Sequence, residues 1–181
     1  MIFENLRYKI ANVVLRRKQA KVNRQKALYD FASAKHLGLV SSIHNEADAA
    51  CLKEFLHYLS RRAIKYTVFG YIVDSKIPEN FLYLKDMDFI TRENLNFLFI
   101  PNTPNVQKFI DNPFDILICC NVSNFFPVEY IAQLSLAKCK VGIKQDHEYG
   151  YDLTIDISKE RTIEYFLKNL VIYLSNLRNS N

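Results

Sequence analysis

Glycine is scarce in this chain. Four stand among its 181 residues, at positions 38, 70, 142 and 150. None forms the G-x-G-x-x-G turn or the phosphate-cradling loop that lets backbone approach a pyrophosphate, so no nucleotide cofactor is expected. Tryptophan is absent. No apolar run approaches the ~20 residues of a membrane-spanning helix. Basic residues interrupt the N-terminal apolar positions, so no secretory signal is read there, and a cytoplasmic protein is expected. Cys51, Cys119, Cys120 and Cys139 show no C-x-x-C spacing and fall inside predicted helix or strand, so they read as buried reduced thiols. His36, His44, His57 and His147 are scattered, and none pairs with Cys or another His at metal-ligand spacing, so no metal site is expected. His147, between Asp146 and Glu148, reads as solvated loop chemistry. Ser42 near His44 lacks a G-x-S-x-G elbow to present a nucleophile, and no catalytic residue is expected.

One further absence points to function. Residues 5–29 contain no acid at all. Residues 1–35 hold nine Lys/Arg against two acids, a net of +7, whereas residues 36–181 net −2. A mildly acidic body carrying a strongly basic N-terminal segment suggests a polyanionic partner.

What is present describes a folded α/β body. Apolar residues make up 49% and aromatics 13%, ample for one core. Phe3, Leu6, Ile10, Val13 and Val14 recur at helical spacing, and residues 2–29 read as one long helix whose stripe turns basic at Arg17, Lys21 and Arg24. Two regions follow: residues 1–35 as a basic amphipathic helical arm, and residues 36–181 as a Rossmann-like domain. In that domain Leu37–Ile43 reads as a strand. Asn45 then caps a helix over about 46–61 that buries Ala50, Leu52, Phe55, Leu56 and Leu59. Strands follow at Ile64–Val73 and Met87–Ile90, with a loop over Asp74–Lys85 between them. A short helix near 104–111 leads to the most apolar strand, Phe114–Cys120, which belongs at the sheet centre. Pro127 opens a helix to about Lys138. Cys139–Ile143 and Leu153–Ile157 are strands, and Thr162–Leu177 is the closing helix. This alternation predicts a three-layer, mainly parallel sheet of about five or six strands with helices on both faces.

The chain resembles a family of uncharacterised proteins from the Bacteroidota over nearly its whole length. The likeness is carried by the basic N-terminal helix, Ala34–Val40, Phe69-Gly70-Tyr71, Phe114–Ile118, Phe126-Pro127 with Tyr130–Lys138, Val141-Gly142 and Tyr151–Ile157. The family carries no assigned activity. Phe114–Gly142 looks like the strand–helix–strand of the acceptor half of heptosyltransferase-type glycosyltransferases, a likeness that implies fold.

Two readings of function follow. The first is a non-catalytic protein that binds structured RNA or an RNA–protein assembly, the ribosome among them, through Arg16, Arg17, Lys18, Lys21, Arg24 and Lys26. The second is a small-molecule-binding or transferase-like enzyme taking a nucleotide or sugar. It would use the carboxyl-end loops of the sheet: Ser41, Ser42, His44 and Asn45 from one turn, and Asn121, Ser123 and Asn124 from another. The competing view is that Asn45 caps a helix and Asn121–Asn124 satisfy a turn. The apolar half of the arm, Phe3 to Val14, must dock somewhere: on the body, on a protein partner, on a second copy, or on a membrane surface.

Overall fold

The fold is seen in a computed structural model, which describes residues 2–73, 87–145 and 150–177. The loop expected over 74–85 and the His147 cluster lie outside them.

The chain runs α1 (Ile2–Gln19), β1 (His36–Ile43), α2 (Glu46–Arg61), β2 (Lys65–Ile72), β3 (Met87–Ile90), α3 (Pro104–Ile110), β4 (Ile116–Cys120), α4 (Phe126–Leu134), β5 (Cys139–Ile143), β6 (Leu153–Ile155) and α5 (Ile163–Asn176). All six strands pair in parallel in the order β3-β2-β1-β4-β5-β6. From β1 the chain steps one way to β2, and from β4 it steps the other way to β5. Right-handed crossovers therefore put α2 and α4 on opposite faces. One apolar layer joins α2 and α5 to the sheet through Leu52, Leu59, Phe166 and Leu170. The other joins α1, α3 and α4 through Leu15, Phe109, Phe114 and Ile131. β4 is buried throughout, as a central parallel strand covered on both faces must be.

Local rules account for most boundaries. Asn45 accepts the Asp48 N–H and starts α2, Thr103 accepts from Val106 before α3, and Thr162 accepts from Tyr165 before α5. On α2 it is Ala49, not the expected Ala50, that faces the sheet. α4 ends at Leu134 rather than near Lys138. The backbone beyond it is claimed by neighbours: Leu136 N–H donates to Ile110 O and Lys138 N–H to Phe114 O. Gly38 is required by a close approach, because a Cβ there would stand 2.6 Å from the Phe114 ring.

The largest difference from the sequence reading is at the N-terminus. α1 stops at Gln19 instead of running to residue 29. Residues 20–22 close a turn onto Arg16, Lys18 and Gln19 carbonyls, and the chain then runs without helix or strand to Asp30. Beyond the turn the backbone is claimed by the body: the Ala27 N–H donates to Lys138 O, not to Asn23 O as a helix continued to residue 29 would require.

Candidate binding surface of the N-terminal segment

α1 docks on the body by a different row from the one expected. Tyr8, Ala11 and Leu15 turn inward at spacings of three and four, with Val14 partly covered beside them. Tyr8 stacks on Phe99 with ring centres 4.4 Å apart. Lys18 Nζ donates to Tyr130 Oη at 2.6 Å, and Gln19 Nε2 to Gln133 Oε1 at 2.8 Å. The row expected to dock, Phe3, Leu6, Ile10 and Val13, is instead exposed by 83%, 53%, 44% and 49%. Ala11 is small, and hydropathy alone ranks it below Phe3 and Ile10. A small residue is what lets the helix approach α4 closely, and this packing requirement was invisible in the spacing.

The segment after α1 crosses the amino ends of β4 and β5 to reach β1. Arg24 holds it there. Its Nη1 donates to the carbonyls of Ala137 (3.2 Å) and Lys138 (2.9 Å), and its Nη2 contacts Asp152 Oδ1 at 2.7 Å. The Arg24 side chain is 7% exposed. Arg24 therefore does not belong to a nucleic-acid surface; its guanidinium is committed inside the fold. Burial alone raises the Asp152 carboxyl, yet the bonds it accepts from Arg24 and the Lys140 N–H outweigh that and hold it below the usual carboxylate range. Phe31 completes the crossing by packing beside Phe55 and Tyr58 on the α2 face. Arg16, Arg17, Lys21 and Lys26 remain exposed. Lys26 lies 3.8 Å from Asp152, and among the described residues no acid pairs with Arg16, Arg17 or Lys21.

The second set of expected residues gathers at the other end of the sheet. β1 and β4 are neighbours at the point where strand order reverses, and Ser41 stands opposite Cys120 in their register. Ser41 Oγ donates to the Cys120 carbonyl at 3.2 Å. Ser42 is buried, and its Oγ has no hydrogen-bond partner among the described residues. His44 packs on Phe125 at 5.2 Å between ring centres. Asn45 caps α2, and Asn121 closes its turn through both the Phe125 N–H and C=O. Asn124 adopts a φ of 55°, the left-handed turn geometry that asparagine tolerates. Ser123 is exposed. The structure thus brings Ser41, Ser42 and the Asn121 turn together at the switch point, but gives Asn45 and Asn121 structural duties. This end is separate from the basic segment, which crosses the amino ends.

Between the two lies a polar cluster that sequence reading missed. Glu129 of α4 is buried and accepts from Tyr151 Oη at 2.8 Å and from Gln133 Nε2 at 2.7 Å. Gln133 Oε1 in turn receives the Gly150 N–H. A glutamate and a glutamine four apart on an otherwise apolar helix were the available signal. Burial pushes the Glu129 carboxyl up, against the hydrogen bonds it accepts. Lys140 is also buried, its Nζ donating to Gln133 O at 2.7 Å, and burial, with Arg24 nearby, brings it down to about 7. Because the folded-state affinity of Glu129 for its proton exceeds that of the unfolded chain, its contribution to stability is full below about pH 4.5 and declines as pH rises through the folded value. Glu129→Gln keeps the acceptor and removes the titration. The variant is expected to gain on the wild type progressively as pH rises above about 4.5; urea unfolding from pH 5 to 8 checks this, and a constant gap across that range contradicts it.

Cys119, Cys120 and Cys139 are buried and Cys51 is partly exposed, all four as free thiols. Among the described residues no group of side chains is arranged to hold a metal ion, and no helix is long and apolar enough to cross a membrane.

No curated protein matches the chain. A family model does match, over residues 6–177, which takes in α1 from its second turn together with the whole sheet and its helices. The chain therefore belongs to the family of unknown function DUF6913.

Proposed function

We propose that this is a non-catalytic cytoplasmic binding protein that contacts structured RNA, or an RNA–protein assembly such as the ribosome, through the exposed cations of its N-terminal segment. The observation that carries this reading is that Arg16 and Arg17, at the end of a helix docked to the body, and Lys21, in the turn that follows it, stand exposed within a stretch that has no acid from residue 5 to residue 29. A solvated helix usually mixes signs. A rigid unmixed row gives phosphates a positioned electrostatic surface, which supplies affinity and little sequence information. Lys18 and Lys26 flank it, each with one internal contact.

The test is binding to a structured RNA across a salt series. Arg16→Gln/Arg17→Gln/Lys21→Gln is expected to bind at least tenfold more weakly at low salt. Its log–log salt slope should flatten by about 0.7–0.9 for each phosphate that is no longer neutralised. Unchanged affinity and slope would discard the reading.

A second reading rests on Ser42, whose Oγ is buried without a partner among the described residues at the strand-order switch, where open α/β sheets hold their ligands. It is a small-molecule or transferase-like site for a nucleotide or sugar. Thermal stabilisation by a nucleotide sugar, abolished by Ser42→Val, supports it; no shift with any sugar nucleotide counts against it.

A further inference from the structure

Phosphate binding by Arg16, Arg17 and Lys21 leaves one feature of α1 without a role. Phe3, Leu6, Ile10 and Val13 form a continuous outward row over about three turns of helix. Four large apolar side chains in line, on a helix whose opposite row is already packed, are unlike the single exposed apolar residues that any surface carries. The patch continues onto a second element. Phe97 is 72% exposed beside the helix, and the Arg7 guanidinium lies between the rings of Phe97 (4.3 Å) and Phe99 (4.1 Å) while Arg7 Nε donates to Phe97 O.

The charges around the row define what can cover it. Lys9 and Arg16 border it on one side and Arg7 on the other, and Arg17 continues it at spacing four. The helix's one acid, Glu4, falls in line with Tyr8, Ala11 and Leu15 on the inward row. The occupant must therefore be apolar beneath the stripe and anionic along its borders.

Three candidates fail one of these conditions. In a second copy of the chain, the Lys9 border would face the Arg7 border in a parallel pair and the other Lys9 border in an antiparallel one, cation against cation either way. Two stripes of three turns would also fall well short of the ~1,200 Å² that stable interfaces bury. Folded RNA answers the charges but offers no continuous apolar surface. Its unpaired bases prefer aromatic faces, and three of the four stripe residues are aliphatic. The body itself already receives the other row. A bilayer containing anionic lipid meets both conditions, with acyl chains beneath and negative headgroups at the level of the flanking cations, whose long stems reach up from the apolar boundary.

We infer that α1 is an in-plane membrane-association helix that seats Phe3, Leu6, Ile10 and Val13 in the headgroup–acyl boundary of an anionic lipid surface, with Lys9, Arg16 and Arg17 on its headgroups. This goes beyond the RNA reading and uses a different row of the same helix.

The experiment is co-sedimentation of the full chain with vesicles of phosphatidylcholine, with and without phosphatidylglycerol, alongside RNA binding and solution mass. Wild type is expected to bind the anionic vesicles and to leave the neutral ones in solution. Leu6→Gln/Ile10→Gln, which alters exposed positions only, should retain its thermal unfolding and its RNA affinity while vesicle binding falls at least about tenfold. Arg16→Gln/Arg17→Gln should weaken vesicle binding as added salt does. Absence of binding to anionic vesicles overturns the inference. So does vesicle binding that survives Leu6→Gln/Ile10→Gln, since charge alone would then carry it. A solution dimer that this variant converts to monomer would assign the row to a second copy, and a tenfold loss of RNA affinity in this variant would assign it to RNA; either overturns the lipid assignment. Failure of the RNA reading shows separately, as unchanged RNA affinity in the Arg16/Arg17/Lys21 variant.

Discussion

Arg24→Ala is expected to destabilise the protein by about 3–5 kcal/mol, because removing one partner of a buried ion pair strands the other. Asp152 loses its 2.7 Å ion pair, and the carbonyls of Ala137 and Lys138 lose the guanidinium that satisfies them where α4 gives way to β5. Lys26, at 3.8 Å and largely exposed, cannot substitute. Arg24→Lys should recover little, since one ammonium cannot reach three acceptors in a planar fork. Urea unfolding decides the matter. Arg17→Ala and Lys21→Ala, at exposed neighbouring positions, should stay within about 0.5 kcal/mol of wild type. If Arg24→Ala unfolds at the same urea concentration as Arg17→Ala, the segment after α1 is not held by its guanidinium. The comparison also separates two kinds of basic residue that share one stretch of sequence. Weaker RNA binding by an Arg24 variant reports a disturbed segment, whereas weaker binding by Arg16, Arg17 or Lys21 variants reports phosphates left without a cation.

Gly38→Ala should cost about 3 kcal/mol, the upper part of the range for overpacking a core. In most strands the same exchange is favourable, because alanine loses less backbone freedom on folding. Here the new Cβ would meet three Phe114 ring atoms at 2.6–2.9 Å. That ring is fully buried against Phe109 and cannot swing to solvent. Phe114→Leu vacates the space at the expense of a small cavity. In a double-mutant cycle the pair should therefore be less destabilised than the sum of the singles, by about 1 kcal/mol or more. Additive costs would show that the clash is relieved elsewhere. The same test applies at Gly142, where a Cβ would stand 2.6 Å from the Tyr151 ring, but there Glu129 is also disturbed through its bond to Tyr151.

The fold was largely legible because its signals are local. β3 and β5 lie where apolar runs placed them, and α2 spans Glu46–Arg61 as its cap and charged ends indicated. The alternation of strands and helices, with right-handed crossovers, carried the parallel three-layer architecture. Boundaries slipped where a neighbour intervened, as at α4, whose last expected turn surrenders its N–H groups to Ile110 and Phe114. The candidate surface was legible only in outline. The absence of acid from residues 5–29 is visible in any reading of the chain, but which cations face solvent is not.

By itself, then, the sequence determined the order and type of the elements, the centrality of β4, and the excess of positive charge near the N-terminus. These follow from periodicity, capping and composition, which act within a turn or two of chain. Only the tertiary structure decided which face of α1 docks, where the helix stops, and which basic residue turns inward. Those outcomes depend on partners more than a hundred residues away. Arg24 meets carbonyls at Ala137 and Lys138 and a carboxylate at Asp152, and α1 meets α4 through small and mixed-polarity residues rather than its greasiest row. Hydrophobic spacing ranks the faces of a helix by their cost in water, whereas docking selects the face whose shape and hydrogen bonds fit a particular neighbour. In α1 the two criteria choose opposite faces, and the apolar row is left outside.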